Sequence, residues 1–306
     1  MAATNQQLTG ATRLRAMLQG EKIILVPGIY DGFTARLAIE AGFDILYVTG
    51  AGTSMSRLGM ADLGLATMND MSQNAGMIAG LERSIPVIAD ADTGYGGPLM
   101  VRRTVEEYIK AGVASLHLED QVQTKRCGHL GSKELVDEDV YISRIRAAAL
   151  ARDQMPNGDI VIIARTDALQ SLGYDVAVAR LKKAVAAGAD IAFLEAPTSI
   201  DQMRAVVRDL APTPVLLNMV SGGCTPDVTT AEAEQIGFKM IVFPTLALAP
   251  VYESVTEAAK ILKKTGTVKP TAVMAKGPKA LFEVCGLHEL MAFDISAGSV
   301  SFENGV

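Results

Sequence analysis

Cysteine pairs, long apolar runs and a surplus of positive charge are all missing from this sequence. Three cysteines in 306 residues (Cys127, Cys224 and Cys285) are too few, and odd in number, for a disulfide framework, which points to a reducing, cytoplasmic setting. No uninterrupted apolar run approaches the roughly 18 residues that a membrane-spanning helix requires. The opening Met1-Ala-Ala-Thr-Asn-Gln-Gln shows neither the basic nor the apolar part of a secretory signal. A formal net charge of −6 with no clustered basic face argues against nucleic acid as a partner, and the three histidines are too scattered for a zinc site. What the chain does have is apolar content, with 49% hydrophobic residues and a mean hydropathy of +0.25. Parallel strands buried on both faces account for that excess without a membrane.

From residue 22 onward a unit recurs: a short apolar strand, a polar or glycine-rich loop, and a helix ending in glycine. The pattern predicts strands over 23–27, 45–49, 86–90, 115–119, 160–165, 191–195, 214–218 and 240–244. Several helices stop in a similar phrase, as in Ala41-Gly42-Phe43-Asp44, Ala111-Gly112-Val113, Ala187-Gly188-Ala189-Asp190 and Ile236-Gly237-Phe238. Glycine there supplies a left-handed C-cap that returns the chain to the sheet. Eight such units with no break in composition predict an α/β fold, a single (β/α)8 TIM barrel over residues 1–306, whose reactive side chains sit at the C-terminal ends of the strands. Those ends do carry reactive groups: Tyr47 and Thr49, Asp90 and Asp92, His117 with Glu119 and Asp120, Arg165 and Asp167, Glu195, and Asn218. The eighth strand ends without charge, at Phe243-Pro244. A structural barrel would place turn formers there in no particular pattern, so the run of charges reads as an enzyme.

Asp90 and Asp92 lie two residues apart at the end of an apolar strand, a spacing that places both carboxylates on one face. Two like charges there call for a cation, and Mg²⁺ (or Mn²⁺) suits them because it takes carboxylate oxygens and keeps waters for a substrate. Two loops are longer than usual for such a connection. The stretch from Gly50 to Asp62 is small and glycine-rich, expected to be flexible, with amides and hydroxyls able to cradle a carboxylate. The second, from Gln121 to Val136, contains Lys125-Arg126-Cys127-Gly128-His129, where a thiol among cations and an imidazole is placed to exchange a proton near neutral pH. After the eighth strand come a helix over 251–264 and a further amphipathic segment over 280–290. Its Leu281, Phe282, Val284 and Leu287 must be buried on this barrel or on a second subunit.

Asp90-Ala-Asp-Thr-Gly-Tyr-Gly together with Lys125-Arg-Cys-Gly-His resembles the isocitrate lyase/phosphoenolpyruvate mutase superfamily over nearly the whole chain. The loop motif places the resemblance in the branch that cleaves carbon–carbon bonds, nearest to its 2-alkylmalate lyases and oxaloacetate hydrolases. The resemblance implies Mg²⁺ on Asp90 and Asp92, with Asp62 and Glu119 acting directly or through water. It implies a substrate carboxylate bound by Thr49, Gly50, Ala51 and Gly128, with Arg165 and Asn218 completing the anion site. Tyr47 would be the base, Cys127 the acid on a gating loop, and Glu195 a carboxylate near that loop and His129. It also implies a homotetramer in which the segment 278–306 packs on a neighbouring subunit.

Two departures from the family pattern bear on substrate. Arginines that serve the third carboxylate of methylisocitrate fall at or near Ala249 and Pro278 in this chain. Without them a tricarboxylate would bring an unpaired charge into the pocket, at a cost of several kcal/mol. A serine that binds the hydrated carbonyl in oxaloacetate hydrolases falls at Pro244, which has no donor. The expected reaction is therefore metal-assisted cleavage of a 2-hydroxy dicarboxylate of the 2-alkylmalate type. The alternatives are oxaloacetate hydrolysis, methylisocitrate cleavage, and a barrel that binds a metabolite without turnover.

Overall fold

The structure, a computed structural model, describes residues 9–127, 131–156, 158–302 and 305. Eight parallel strands close on themselves in chain order: β1 (Ile24–Ile29), β2 (Leu46–Val48), β3 (Val87–Asp90), β4 (Ser115–Glu119), β5 (Val161–Thr166), β6 (Ile191–Leu194), β7 (Val215–Asn218) and β8 (Met240–Phe243). Each expected strand is present, with ends shifted by no more than two residues. β8 closes the ring on β1 in the register Ile24↔Met240 to Pro27↔Phe243. Just past that pairing, a Cβ on Gly28 would lie 2.4 Å from the Cα of Pro244, so the uncharged end of β8 serves closure of the barrel.

Strand alternation splits the apolar residues into two cores. Leu46, Val48, Ala89, Leu116, Leu118, Ile162 and Ala164 point outward to the helices, whereas Val26, Ile88, Ile163, Ile191, Phe193 and Val242 fill the barrel. The helix Gly10–Gln19 plugs the lower end, inserting Ala11 and Leu14 into the inner core. Its Arg15 fixes it there through Asp190 at 3.0 Å and the carbonyl of Asp159 at 3.0 Å. The expected glycine caps adopt left-handed conformations at Gly42, Gly112, Gly188 and Gly237. Among the described residues no helix is long and apolar enough to cross a membrane, and none of the three cysteines is in a disulfide.

Two expectations are corrected. The first part of the stretch after β2 is helical, not irregular: Thr49 caps a helical turn, Gly50–Thr53, that runs on as a π-helical turn, Ser54–Leu58. Small residues permit this close winding, since a Cβ on Gly52 would meet Tyr30 at 2.5 Å. The segment over 280–290 is two helices, Lys279–Val284 and Leu287–Ser296, divided at Gly286 with φ of 84°. The first of them rests on the helix Gly32–Glu40.

Candidate active site

The upper layer of the barrel is ionic. Asp90 ends β3, and its carboxylate accepts from the amide of Asp92 at 2.8 Å and from the amide of Gly50 at 3.2 Å. That approach requires glycine, because a Cβ on residue 50 would sit 2.4 Å from Asp90 Oδ2. Asp92 is brought alongside by a different route from the expected alternation: the strand ends at Asp90, and Asp92 turns into a left-handed conformation with φ of 46°. Both carboxylates are buried, as is Glu119 at the end of β4.

Lys125 is the finding the sequence did not offer. Its ammonium lies 2.6 Å from Asp62 Oδ1 and 2.7 Å from Asp92 Oδ1, so its charge serves the acidic cluster. Burial works against that charge, but Asp92, Glu119, Asp90 and Asp62 outweigh it and hold the Lys125 pKa well above its usual value. Arg165 grips Asp167 with Nε at 2.9 Å and Nη2 at 3.0 Å, reaches Glu119 with Nη1 at 3.1 Å, and lies over the Phe193 ring. One N–H on each terminal nitrogen remains for another anion. A second layer fixes this end of β5: Asp120 accepts from Thr166 Oγ1, the Asp167 amide and Arg180, and Lys133 reaches Asp167 at 2.7 Å.

The cluster fits a divalent cation. Asp62, Asp90, Asp92 and Glu119 face only Lys125 and Arg165, which leaves two formal negative charges. Burial raises the pKa of Asp92 to about 6, with Asp90 and Asp62 adding repulsion that Lys125 only partly offsets. Asp90 and Glu119 are raised by burial too. Among the described residues no three carboxylate, thiol or imidazole groups converge as a ready ligand set. That arrangement suits Mg²⁺, which is commonly held through few carboxylates and several waters.

On the two strands that flank β3, Tyr47 Oη lies 2.6 Å from His117 Nε2, which in turn is 3.4 Å from Asp90 Oδ1. Burial, with Asp90, pushes the Tyr47 phenol well above its usual range, so the resting residue is protonated. Burial, with Arg165, lowers His117 to about 3, so the imidazole is neutral. Tyr47 can take a proton only as it hands its own to His117 Nε2. Forming that imidazolium at pH 7 costs roughly 5 kcal/mol, so the transfer depends on negative charge arriving with a substrate.

His117 should show no imidazole titration between pH 8 and 5 in NMR spectra, with His117→Gln identifying its signal. The sign for stability follows from the folded pKa lying below the unfolded one. Between about pH 6.5 and 3 the unfolded chain holds more protons, so the His117 contribution is lost as pH falls through that window. Asp92, raised to about 6, acts in the opposite sense, and the comparison with His117→Gln separates the two.

The remaining expected residues divide. Thr49 Oγ1 accepts from the Gly52 amide at 2.8 Å, which makes it a helix cap, and Gly50 donates to Asp90. Ala51 is part of the same turn, its carbonyl accepting from the Ser54 amide. Asn218 Nδ2 points at the buried Glu195 carboxylate, at 3.2 Å from Oε2, which orients Glu195. Cys127 is half-buried on the loop after β4. Gly128 and His129 lie outside the described residues. His117, named from the sequence among the reactive strand ends, shares one face of β4 with Ser115 and Glu119; what the sequence did not offer is its bond to Tyr47.

A closed parallel barrel whose strand ends converge on buried carboxylates, with a cysteine-bearing loop beside them, defines a barrel enzyme that acts on a small molecule at that end of the barrel. Residues 14–263 match the family model described as phosphoenolpyruvate phosphomutase. The chain belongs to the phosphoenolpyruvate mutase/isocitrate lyase superfamily, and within it is a carbon–carbon bond lyase. A crystal structure of 2,3-dimethylmalate lyase is 54% identical, with a TM-score of 0.95 over 98% of this chain and 99% of that one. Oxaloacetate acetylhydrolase bound to 3,3-difluorooxalacetate is 49% identical, with a TM-score of 0.93 over 96% and 99%. The 2,3-dimethylmalate lyase of Eubacterium barkeri is 40% identical over 257 residues, 84% of this chain and 87% of that protein.

Proposed function

We propose that this protein cleaves a 2-hydroxy dicarboxylate of the 2-alkylmalate type, as in 2,3-dimethylmalate, into pyruvate and a second carboxylate. The observation that carries the substrate class is that no cation lines the recess at Ala249 among the described residues. Lys125, Lys133 and Arg165 are all engaged by carboxylates. Ala249, where the family resemblance places an arginine for a third carboxylate, lines a largely apolar recess of about 620 Å³ with Tyr30, Met55 and Leu248. A third carboxylate there would find no cation, whereas an alkyl substituent would gain from contact with these apolar side chains. Oxaloacetate hydrolysis is the second reading, and Pro244 disfavours it because it has no N–H and no side-chain donor.

Mg²⁺, held by Asp90 and Asp92 with Asp62 and Glu119 directly or through water, would supply Lewis-acid stabilisation of the substrate hydroxyl and its adjacent carboxylate. Arg165 orients the dianion. Tyr47 takes the C2 hydroxyl proton as its own passes to His117. The C2–C3 electron pair stays on C3, delocalised into the neighbouring carboxylate, and Cys127 gives C3 its thiol proton. Asn218 holds Glu195 beside Arg165. The loop must exclude water before the bond breaks, since a stray proton would quench C3 out of order. Product analysis after incubation with Mg²⁺ and 2-alkylmalates, oxaloacetate or methylisocitrate tests the reading. Pyruvate from a 2-alkylmalate is expected, and oxalate as the main product would overturn it.

The same reading includes a homotetramer. The helix Leu248–Thr265 has no buried residue, and Tyr252, Phe282 and Phe293 are 74%, 58% and 73% exposed, an apolar surface too large to leave in water. A chain lacking residues 278–306 is expected to sediment at a lower oligomeric mass and to aggregate on warming. A truncated chain of unchanged oligomeric mass would count against this assembly.

A further inference from the structure

Gln121, the first residue after Glu119-Asp120, is fully buried, and its side-chain amide makes three hydrogen bonds in two directions. Nε2 donates to Glu119 Oε1 at 2.9 Å and to the carbonyl of Arg126 at 2.9 Å, while Oε1 accepts from the Arg126 amide at 3.0 Å. One side chain therefore ties a carboxylate of the acidic cluster to both backbone groups of the residue before Cys127. The anchor itself is fixed. Gln121 pairs with Leu135 in an antiparallel bridge at the root of the loop, and its carbonyl accepts from Arg144 at 3.0 Å. Arg126 then closes the loop by reaching the carbonyls of Gly131 and Ser132. Two acceptors and one donor must be matched at this spacing, which a glutamine amide does. An ionised glutamate offers no donor, methionine offers neither, and asparagine is one methylene short.

We propose that Gln121 is a positioning residue that registers the Cys127 segment against Glu119, so that the proton donor and the metal site are set in place by one amide. The inference rests on the reading of Cys127 as proton donor, but two of its readouts need no substrate. In Gln121→Met, iodoacetamide labelling of Cys127, resolved by peptide mass spectrometry with Cys224 and Cys285 as internal references, should rise by about tenfold, as the loss of these bonds allows. The turnover number on the cleaved substrate should fall by about 10–10²-fold with KM changed less than about threefold, because the donor is displaced while the binding groups stay. Gln121→Glu, which keeps the acceptor for Arg126 but sets a charge against Glu119, should do at least as much. A merely structural role would lower stability with kcat of the folded variant unchanged. Labelling within twofold of the unmodified chain in either folded variant overturns the proposal. So does an Arg126 amide that exchanges in the unmodified protein as fast as exposed loop amides. If no substrate is cleaved, the proposed function fails while labelling and exchange still decide the role of Gln121.

Discussion

Asp90→Asn should leave a folded barrel that no longer binds Mg²⁺ measurably by calorimetry and that turns over at least about 10³-fold more slowly, the equivalent of several kcal/mol of lost charge stabilisation. The change is small in volume and removes one of the cluster's four carboxylates. Asp90 accepts from two amides, those of Asp92 and Gly50, and asparagine can accept from only one of them through its oxygen. The unmet amide costs about 1–3 kcal/mol. Neutralising a carboxyl whose pKa burial already raises returns part of that, so the fold survives. Lys125 and Arg165 then balance three carboxylates more nearly, and the cluster loses much of its attraction for a divalent ion. Full activity of Asp90→Asn in metal-free buffer would remove the metal from the mechanism.

The frame of this barrel was legible because parallel strands buried on both sides read as unbroken apolar runs, and each return to the sheet carries a glycine at its cap. Side chains that stand on strands, such as Tyr47, Glu119 and Arg165, were legible for the same reason, since period two fixes which way they face. Residues past the strand ends were not. Asp92 reaches Asp90 through a left-handed turn, and Thr49 and Gly50 serve a helix cap and the Asp90 carboxylate. Lys125 sits in a loop with no periodicity, and nothing in Lys-Arg-Cys-Gly-His says which cation turns inward. The alternatives are decided by charge balance in three dimensions: an ammonium buried without Asp62 and Asp92 would be untenable, and those partners lie 63 and 33 residues away along the chain. Gln121 escaped notice for a related reason, as its value lies in two directions of hydrogen bonding that only the folded loop creates.

Cys127→Ser should lower kcat by about 10²–10⁴ while leaving the affinities for Mg²⁺ and for substrate nearly unchanged. Serine keeps the size of the side chain but raises the donor's pKa by several units, so a carbanion at C3 finds a much weaker acid. The carboxylates proposed to hold the metal, Asp62, Asp90, Asp92 and Glu119, and the proposed anion-binding Arg165 lie outside this loop, which is held through Gln121 and Arg126, whose bonds the substitution does not touch. Three roles for the thiol are separable by this one variant. A metal ligand would show as weaker Mg²⁺ binding, which the preference of that ion for oxygen opposes. A nucleophile would show as a covalent adduct trapped on Cys127 by mass spectrometry during turnover of the unmodified enzyme. A proton donor shows neither, and its signature is a kcat that falls alone, with deuterium from solvent still delivered to C3 but at the slower rate. Unchanged kcat in Cys127→Ser would overturn the donor role, and with it the assignment of the loop as the part of the molecule that completes carbon–carbon cleavage.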